Sequence, residues 1–188
     1  VRDDLRYNKK GNNQANQLNK ILGYKHCHFI KTMDVNKVNK TNNPSCYEGL
    51  AVLSNVPIIN YKRIKLKKHS EDKYSRAILS VKFDNINIFI VHYSPDDLFS
   101  RLHLQETLDY AKKIKPLIIG DFNIKDPHTI SELIDGDYII STEIKKYVSY
   151  PSENITLDYF LIPKKIKIKS FKCIGSNISD HKAFVLEI

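Results

Sequence analysis

Cysteine is scarce in this chain. Its three cysteines, Cys27, Cys46 and Cys173, are widely spaced and odd in number, so no disulfide framework is indicated. No Cys-x-x-Cys pair and no Cys/His cluster at zinc-ligand spacing occurs, so no structural zinc site is indicated either. A reducing compartment, the cytoplasm, is the expectation. Long apolar runs are also missing: none reaches the length of a membrane span, and the first residues lack the pattern of a signal peptide. There is no internal repeat and no long linker. Acidic residues are in deficit, 21 against 30 Lys and Arg, which gives a net charge of +9 and a pI of about 9.3. That balance fits a polyanionic partner, nucleic acid or an anionic membrane surface, although lysine is also an ordinary solubilising residue.

What is present describes a globular chain. At 41% hydrophobic and 27% charged residues, its 188 residues suit one domain, 1–188, with a sizeable core. Residues 11–22, from Gly11, place Ala15, Leu18, Ile21 and Leu22 at helical spacing, with Gly23 as the stop. Residues 25–32 form a strand. Its alternation puts His26 and His28 on one face; a metal pair is conceivable there, but a half-exposed edge strand is the better reading. Residues 33–46 are polar and rich in Asn and Lys, a surface loop. Gly49 to Val56 is a buried strand followed by Pro57. Ile58 to Lys68 sets Ile59, Tyr61, Ile64 and Leu66 against Lys62, Arg63, Lys65 and Lys67. A basic face there would meet phosphate, though a solvated strand face is the plainer reading.

Tyr74–Phe83 and Ile86–His92 predict a hairpin turning at Asp84-Asn85. Leu98–Lys115 is the clearest helix, with Leu104, Leu108 and Ala111 on one face and Pro116 at its end. Leu117–Gly120 reads as a short buried strand and His128–Ile134 as a short helix after Pro127. Strand-like runs close the chain at 157–162, 164–174 and 182–188. Strands dominate, with about three helices between them. Two sheets packed face to face with helices outside suit this order better than a strictly alternating doubly wound sheet.

Four segments carry the chemistry: Val91-His92-Tyr93-Ser94-Pro95, Gly120-Asp121-Phe122-Asn123, Thr156-Leu157-Asp158-Tyr159-Phe160 and Ser179-Asp180-His181. Each joins a hydrophobic strand-like run to acid, amide or imidazole. Hydrolysis of a phosphodiester needs a hard cation to offset phosphoryl charge, a base to take a proton from water, and support for the leaving oxygen. Asp121, Asp158 and Asp180 offer carboxylates for a cation such as magnesium. Asn123 offers an amide, and His92 and His181 exchange protons near neutral pH. Gly120 permits a sharp turn into Asp121. Asp158 lies within an apolar run, which is costly for a carboxylate without a partner.

The ordered set His-x-Ser-Pro, Gly-Asp-Phe-Asn, Leu-Asp-Tyr-Phe, Ser-Asp-His resembles the endonuclease/exonuclease/phosphatase superfamily. Further segments are similar: Gly49-Leu50-Ala51-Val52-Leu53-Ser54 with Pro57, the Arg101/Gln105 pair, and Tyr150-Pro151-Ser152. The resemblance implies an α/β four-layer sandwich of the deoxyribonuclease I type, two packed mixed sheets flanked by helices. It implies that Asp180 ligates magnesium or manganese and that His181 is the general base at the scissile phosphate. Asp158 would orient His181, and Asp121 and Asn123 would position the water and a phosphate oxygen. His92 would act near the leaving group, and Arg76 would contact phosphate. The family's first strands carry an Asn and a metal-binding Glu in Gln-Glu-Val-Arg. This chain opens at Val1-Arg2, so those strands are expected to be missing and the domain truncated at its N-terminus.

Three functions follow. The leading expectation is a monomeric, metal-dependent phosphodiesterase acting on DNA. A second is a phosphomonoesterase or phospholipid-headgroup hydrolase acting on a phosphorylated small molecule or lipid headgroup. The third is an inactive domain that only binds a polyanion.

Overall fold

A computed structural model describes residues 1–4, 12–40, 46–175 and 179–188. The chain divides into two compact units, Val1–His92 and Tyr93–Ile188.

In the first unit, strand β1 (Arg2–Asp4) is followed by helix α1 (Gln14–Leu22). Asn13 caps α1 by accepting the Asn16 N–H at 3.0 Å. Gly23 ends it in the left-handed conformation, φ 72°, which glycine adopts without a Cβ clash. The spacing is helical as expected, but of its apolar residues only Ala15 is buried; Leu18, Ile21 and Leu22 are exposed. Gly11 lies outside the described residues.

Strand β2 (His26–Asp34) runs into a short helix, α2 (Val35–Asn39), where the sequence suggested only loop. Asp34 makes the difference: its carboxylate accepts from the backbone N–H groups of Asn36 and Lys37 and caps the turn. Residues 41–45 of that expected loop lie outside the described residues.

Strand β3 (Cys46–Ser54) starts three residues earlier than expected and lies between β1 and β2, antiparallel to both. β2 is therefore the edge strand that the alternation around His26 and His28 indicated. Gly49 is required in β3: a Cβ there would fall 2.0 Å from the Ile30 carbonyl oxygen and 2.6 Å from the Phe29 ring.

Strand β4 (Asn60–Lys65), β5 (Ala77–Lys82) and β6 (Asn87–His92) follow as an antiparallel run. The β5–β6 hairpin turns at Asp84-Asn85, closed by the Phe83 N–H to the Ile86 carbonyl at 2.9 Å. In β4 the period-2 pattern puts Tyr61, Arg63 and Lys65 on one face and Ile64 on the other. Tyr61 thus sides with the cations, while Ile64 is half-buried on the other face and Leu66, just beyond the strand, is buried. The two strand groups meet through Ile30 and Leu50 on one side and Leu79 and Val81 on the other.

In the second unit, Asp96 caps helix α3 (Asp97–Ala111), with Leu104, Leu108 and Ala111 buried as their spacing required. The helix stops at Ala111; Lys115 turns left-handed, φ 42°, ahead of Pro116. Strand β7 (Leu117–Asp121) and helix α4 (Pro127–Leu133) stand where expected. The three-residue strand β8 (Tyr138–Ile140) and one-turn helix α5 (Ser141–Ile144) were too short to show in the pattern.

Strand β9 (Asp158–Pro163) lies between β7 and β8, antiparallel to both. The expected run 164–174 is shorter: strand β10 (Ser170–Ile174) begins only after a lysine-rich turn, and it pairs with β11 (Ala183–Glu187). Phe160 of β9 packs edge-on against Phe171 and Phe184 of that hairpin.

Candidate functional site

The register of β7 against β9 places Asp121 directly opposite Asp158. Facing like charges oppose pairing. His181 offsets them: its Nδ1 lies 2.7 Å from Asp158 Oδ2. One donor atom from each of Asp121, Asp158 and His181 falls within 4.8 Å of the others, and all three residues are half-buried. Burial alone would lower the His181 pKa. The hydrogen bond and charge of Asp158, with further charge from Asp121 and Asp180, outweigh it and hold the imidazole above its usual value.

Local structure fixes each member. Gly120, at φ 142°, takes a conformation that strongly favours glycine and delivers Asp121 at the strand end. Asp121 Oδ1 accepts the Asn123 N–H at 2.9 Å, an Asx turn. Asn123 sits left-handed at φ 53° and donates its side-chain N–H to the Tyr93 carbonyl at 3.1 Å. Tyr93 N–H returns to the Asp121 carbonyl at 3.0 Å. Asp158 opens β9, and its carbonyl accepts from the Tyr147 hydroxyl at 2.8 Å. The Tyr150 ring lies 5.0 Å from the His181 ring.

Ser149 is a supporting residue that sequence reasoning passed over. It is fully buried. Its hydroxyl accepts from the N–H groups of Leu157 at 2.8 Å and Asp158 at 3.1 Å, and its carbonyl accepts the Lys182 N–H at 2.9 Å. One residue thereby ties the segment that carries Asp158 to the segment that carries His181. Its place just before Tyr150-Pro151 was the available signal.

Asp180 stands apart from the three-residue cluster. It is exposed, and its Oδ1 accepts from the Ser179 hydroxyl at 3.3 Å. Its charge nonetheless reaches His181.

The first unit holds a second acid–imidazole cluster. Glu48 Oε1 accepts from Arg76 Nη1 at 2.7 Å and lies 3.3 Å from His92 Nδ1. Burial would raise the Glu48 pKa; His92 and Arg76 beside it hold it below the usual carboxylate range. Arg76 is 5% exposed and stacks over the Tyr74 ring at 5.1 Å. Glu48 was missed because it stands at the polar entry of an apolar strand, and both its partners come from later strands. Arg101 and Gln105 are exposed, and Arg101 pairs with Asp97 at 3.2 Å; neither joins the cluster around His181.

The donor set around His181 fits a divalent cation. Two carboxylates with a third nearby concentrate negative charge, and carboxylate oxygen is what magnesium and manganese prefer.

No protein-family model matches the sequence. No curated protein matches it in sequence either. In three dimensions it is similar to an endonuclease/exonuclease/phosphatase family protein from Leptotrichia buccalis C-1013-b, with TM-score 0.66 and 15% identity over 100% of this chain and 84% of that one. It is similar to the human Nocturnin catalytic domain, with TM-score 0.63 and 16% identity over 99% and 79%. It is also similar to the 3' phosphatase NExo from Neisseria, with TM-score 0.62 and 13% identity over 98% and 84%. The chain therefore has the endonuclease/exonuclease/phosphatase fold, the α/β, deoxyribonuclease I-like class that its ordered motifs implied.

Proposed function

We propose that the chain hydrolyses phosphodiesters in nucleic acid with the help of a divalent metal. The observation that carries this reading is the Asp158–His181 pair at 2.7 Å, set beside the carboxylate of Asp121. Asp158 holds Nδ1 of His181, which leaves Nε2 as the atom that takes a proton from water. Asp121 and Asn123, locked together by the Asx turn, position that water and one phosphate oxygen. The water oxygen bonds to phosphorus, and the bond to the leaving oxygen breaks. Asp180, with Asp121, would hold magnesium or manganese, which supplies positive charge against the phosphoryl oxygens. His92, held by Glu48, is assigned to protonate the leaving oxygen, and Arg76 to neutralise phosphate; both assignments rest on the motif resemblance.

The basic net charge of +9 favours a nucleic-acid substrate. The related NExo fold was captured with product DNA. That protein is described as a 3' phosphatase, and this favours a phosphomonoester as the second reading.

Nicking of supercoiled plasmid, with magnesium or with EDTA, tests the proposal. Nicking that requires magnesium and is lost in His181→Ala and Asp180→Ala is the expected result. A folded chain that leaves plasmid intact but releases phosphate from a 3'-phosphorylated oligonucleotide would replace the first reading with the second. A folded chain with neither activity, yet with salt-sensitive DNA binding, would reduce it to a polyanion binder.

A further inference from the structure

The first unit contains a cleft of about 450 Å³ that is separate from both acid–imidazole pairs in its lining, apart from Arg76. Its walls are the end of β2 with α2 on one side, and β4 with the return toward β5 on the other. Six cations line it: Lys37, Arg63, Lys65, Lys68, Lys73 and Arg76. The single carboxylate in the lining is Asp34, which is already occupied in capping α2. No ion pair among the described residues neutralises Lys37, Arg63, Lys65, Lys68 or Lys73. Arg76 is 5% exposed, and its Nε lacks a hydrogen-bond partner among the described residues.

Like charges gathered in a concavity repel one another, and of the six only Arg76 is offset by an ion pair, with Glu48. Such a cluster is stabilised when an anion enters. The shape favours a chain over a surface: a membrane is flat and would meet protruding lysines, whereas these line a cleft. The arrangement on β4 narrows the choice further. Arg63 and Lys65 point from one face two residues apart, about 6.7 Å. That step is comparable to the distance between consecutive phosphates of an extended single strand. On the same face, one step earlier, Tyr61 is 43% exposed and stacked at 3.9 Å on His28 of β2. An exposed tyrosine, backed by a half-buried histidine and ahead of a row of cations, offers a base a stacking platform and its backbone a track.

We infer that this cleft binds the phosphodiester backbone of single-stranded nucleic acid, with Arg63 and Lys65 on successive phosphates and Tyr61 beneath a base. The inference deepens the nuclease reading and rests on it for the class of substrate. It turns the basic face of β4, which reads from sequence most simply as a solvated strand face, into part of a binding track. The decisive additions are α2 and Lys73, which come from other parts of the chain and close the cleft around Arg63 and Lys65.

The test separates binding from hydrolysis. A fluorescein-labelled 20-residue oligothymidylate is titrated with the full chain in EDTA, so that cleavage does not intervene, and anisotropy is followed across a salt series. Arg63→Glu/Lys65→Glu is expected to weaken binding about tenfold or more and to reduce the magnitude of the log-affinity against log-salt slope by about 1.4, two phosphate contacts on a single strand. Lys37→Ala/Lys73→Ala, which removes one cation from each wall, is expected to weaken it in the same direction. Tyr61→Ala is expected to weaken it without changing the salt slope. Hydrolysis of bis(p-nitrophenyl) phosphate, which has no nucleotide chain to follow the cleft, should be unchanged in all three variants.

Unchanged oligonucleotide affinity in both charge variants would overturn the inference. So would binding to phosphatidylserine vesicles that these variants abolish while oligonucleotide binding persists. A chain that binds oligothymidylate through these residues but hydrolyses no phosphoester supports the cleft and sinks the proposed function alone.

Discussion

At the scale of single residues, polar pairing decides what each candidate group can do. His181 and Asp158 hold one another, and Ser149 holds the two segments that bear them. Glu48 is the corresponding anchor in the first unit. Its carboxylate faces Arg76, whose side chain is 3% exposed, so removing the Glu48 charge leaves a buried cation unpaired. Glu48→Gln is therefore expected to cost about 3–5 kcal/mol near neutral pH. The pH dependence has a definite sign. The folded-state pKa of Glu48 is depressed, so its contribution is present above the ordinary carboxylate range and is lost as pH falls through the folded value. Urea denaturation of wild type and Glu48→Gln should differ most above about pH 5 and converge on acidification. A difference independent of pH would show that charge at Glu48 is not the cause. The His and Asp members of both clusters were legible in sequence, because acid or imidazole at the end of an apolar run stands out. Glu48 and Ser149 were not: their roles lie in atoms contributed by distant segments.

At the scale of elements, the pairing of β2 and β3 depends on one absent side chain. Gly49 lies against the Ile30 carbonyl and the Phe29 ring, with 2.0 and 2.6 Å left for a Cβ. The first obstacle is backbone of the adjoining strand, held by its pairing with β3. Gly49→Ala is expected to destabilise the chain by about 1–3 kcal/mol through overpacking, read as a lowered denaturant midpoint. A variant as stable as wild type would mean that β2 yields easily at this point. Helices and strands with strong periods, α1, α3, β5, β6 and β7, stood close to where the pattern put them. Elements of three to five residues, such as α2, β8 and α5, did not, because one turn or one short pairing lacks a period. The face that each element buries was also hidden. α1 leaves Leu18, Ile21 and Leu22 exposed although their spacing marks a core face, since burial depends on what comes to lie beside the helix.

At the scale of the whole molecule, negative charge is concentrated in a chain that is otherwise basic. Asp121, Asp158 and Asp180 all act on His181, within a protein of net charge +9. A divalent cation that binds there relieves repulsion in the folded state and has no equivalent site in the unfolded chain. Magnesium or manganese at a hundred times its dissociation constant should therefore stabilise the fold by about 2.7 kcal/mol. For a chain of this length that is a rise in melting temperature of about 5–10 °C. Asp121→Asn should reduce the rise, and calcium-free EDTA buffer should abolish it. A melting temperature indifferent to either metal would remove the cation from the proposed chemistry.

Element order, the charge balance and the identity of most chemistry-bearing residues follow from neighbouring positions along the chain. Helix and strand periods, turn residues and net charge are properties of consecutive amino acids, so a linear reading reaches them. The register that sets Asp121 opposite Asp158, the contact of His181 with Asp158, the seat of Glu48 between Arg76 and His92, and the cleft lined by α2 and β4 required the folded chain. Hydrogen bonds and desolvated charge pairs act over a few ångströms, and folding alone brings residues dozens of positions apart within that reach.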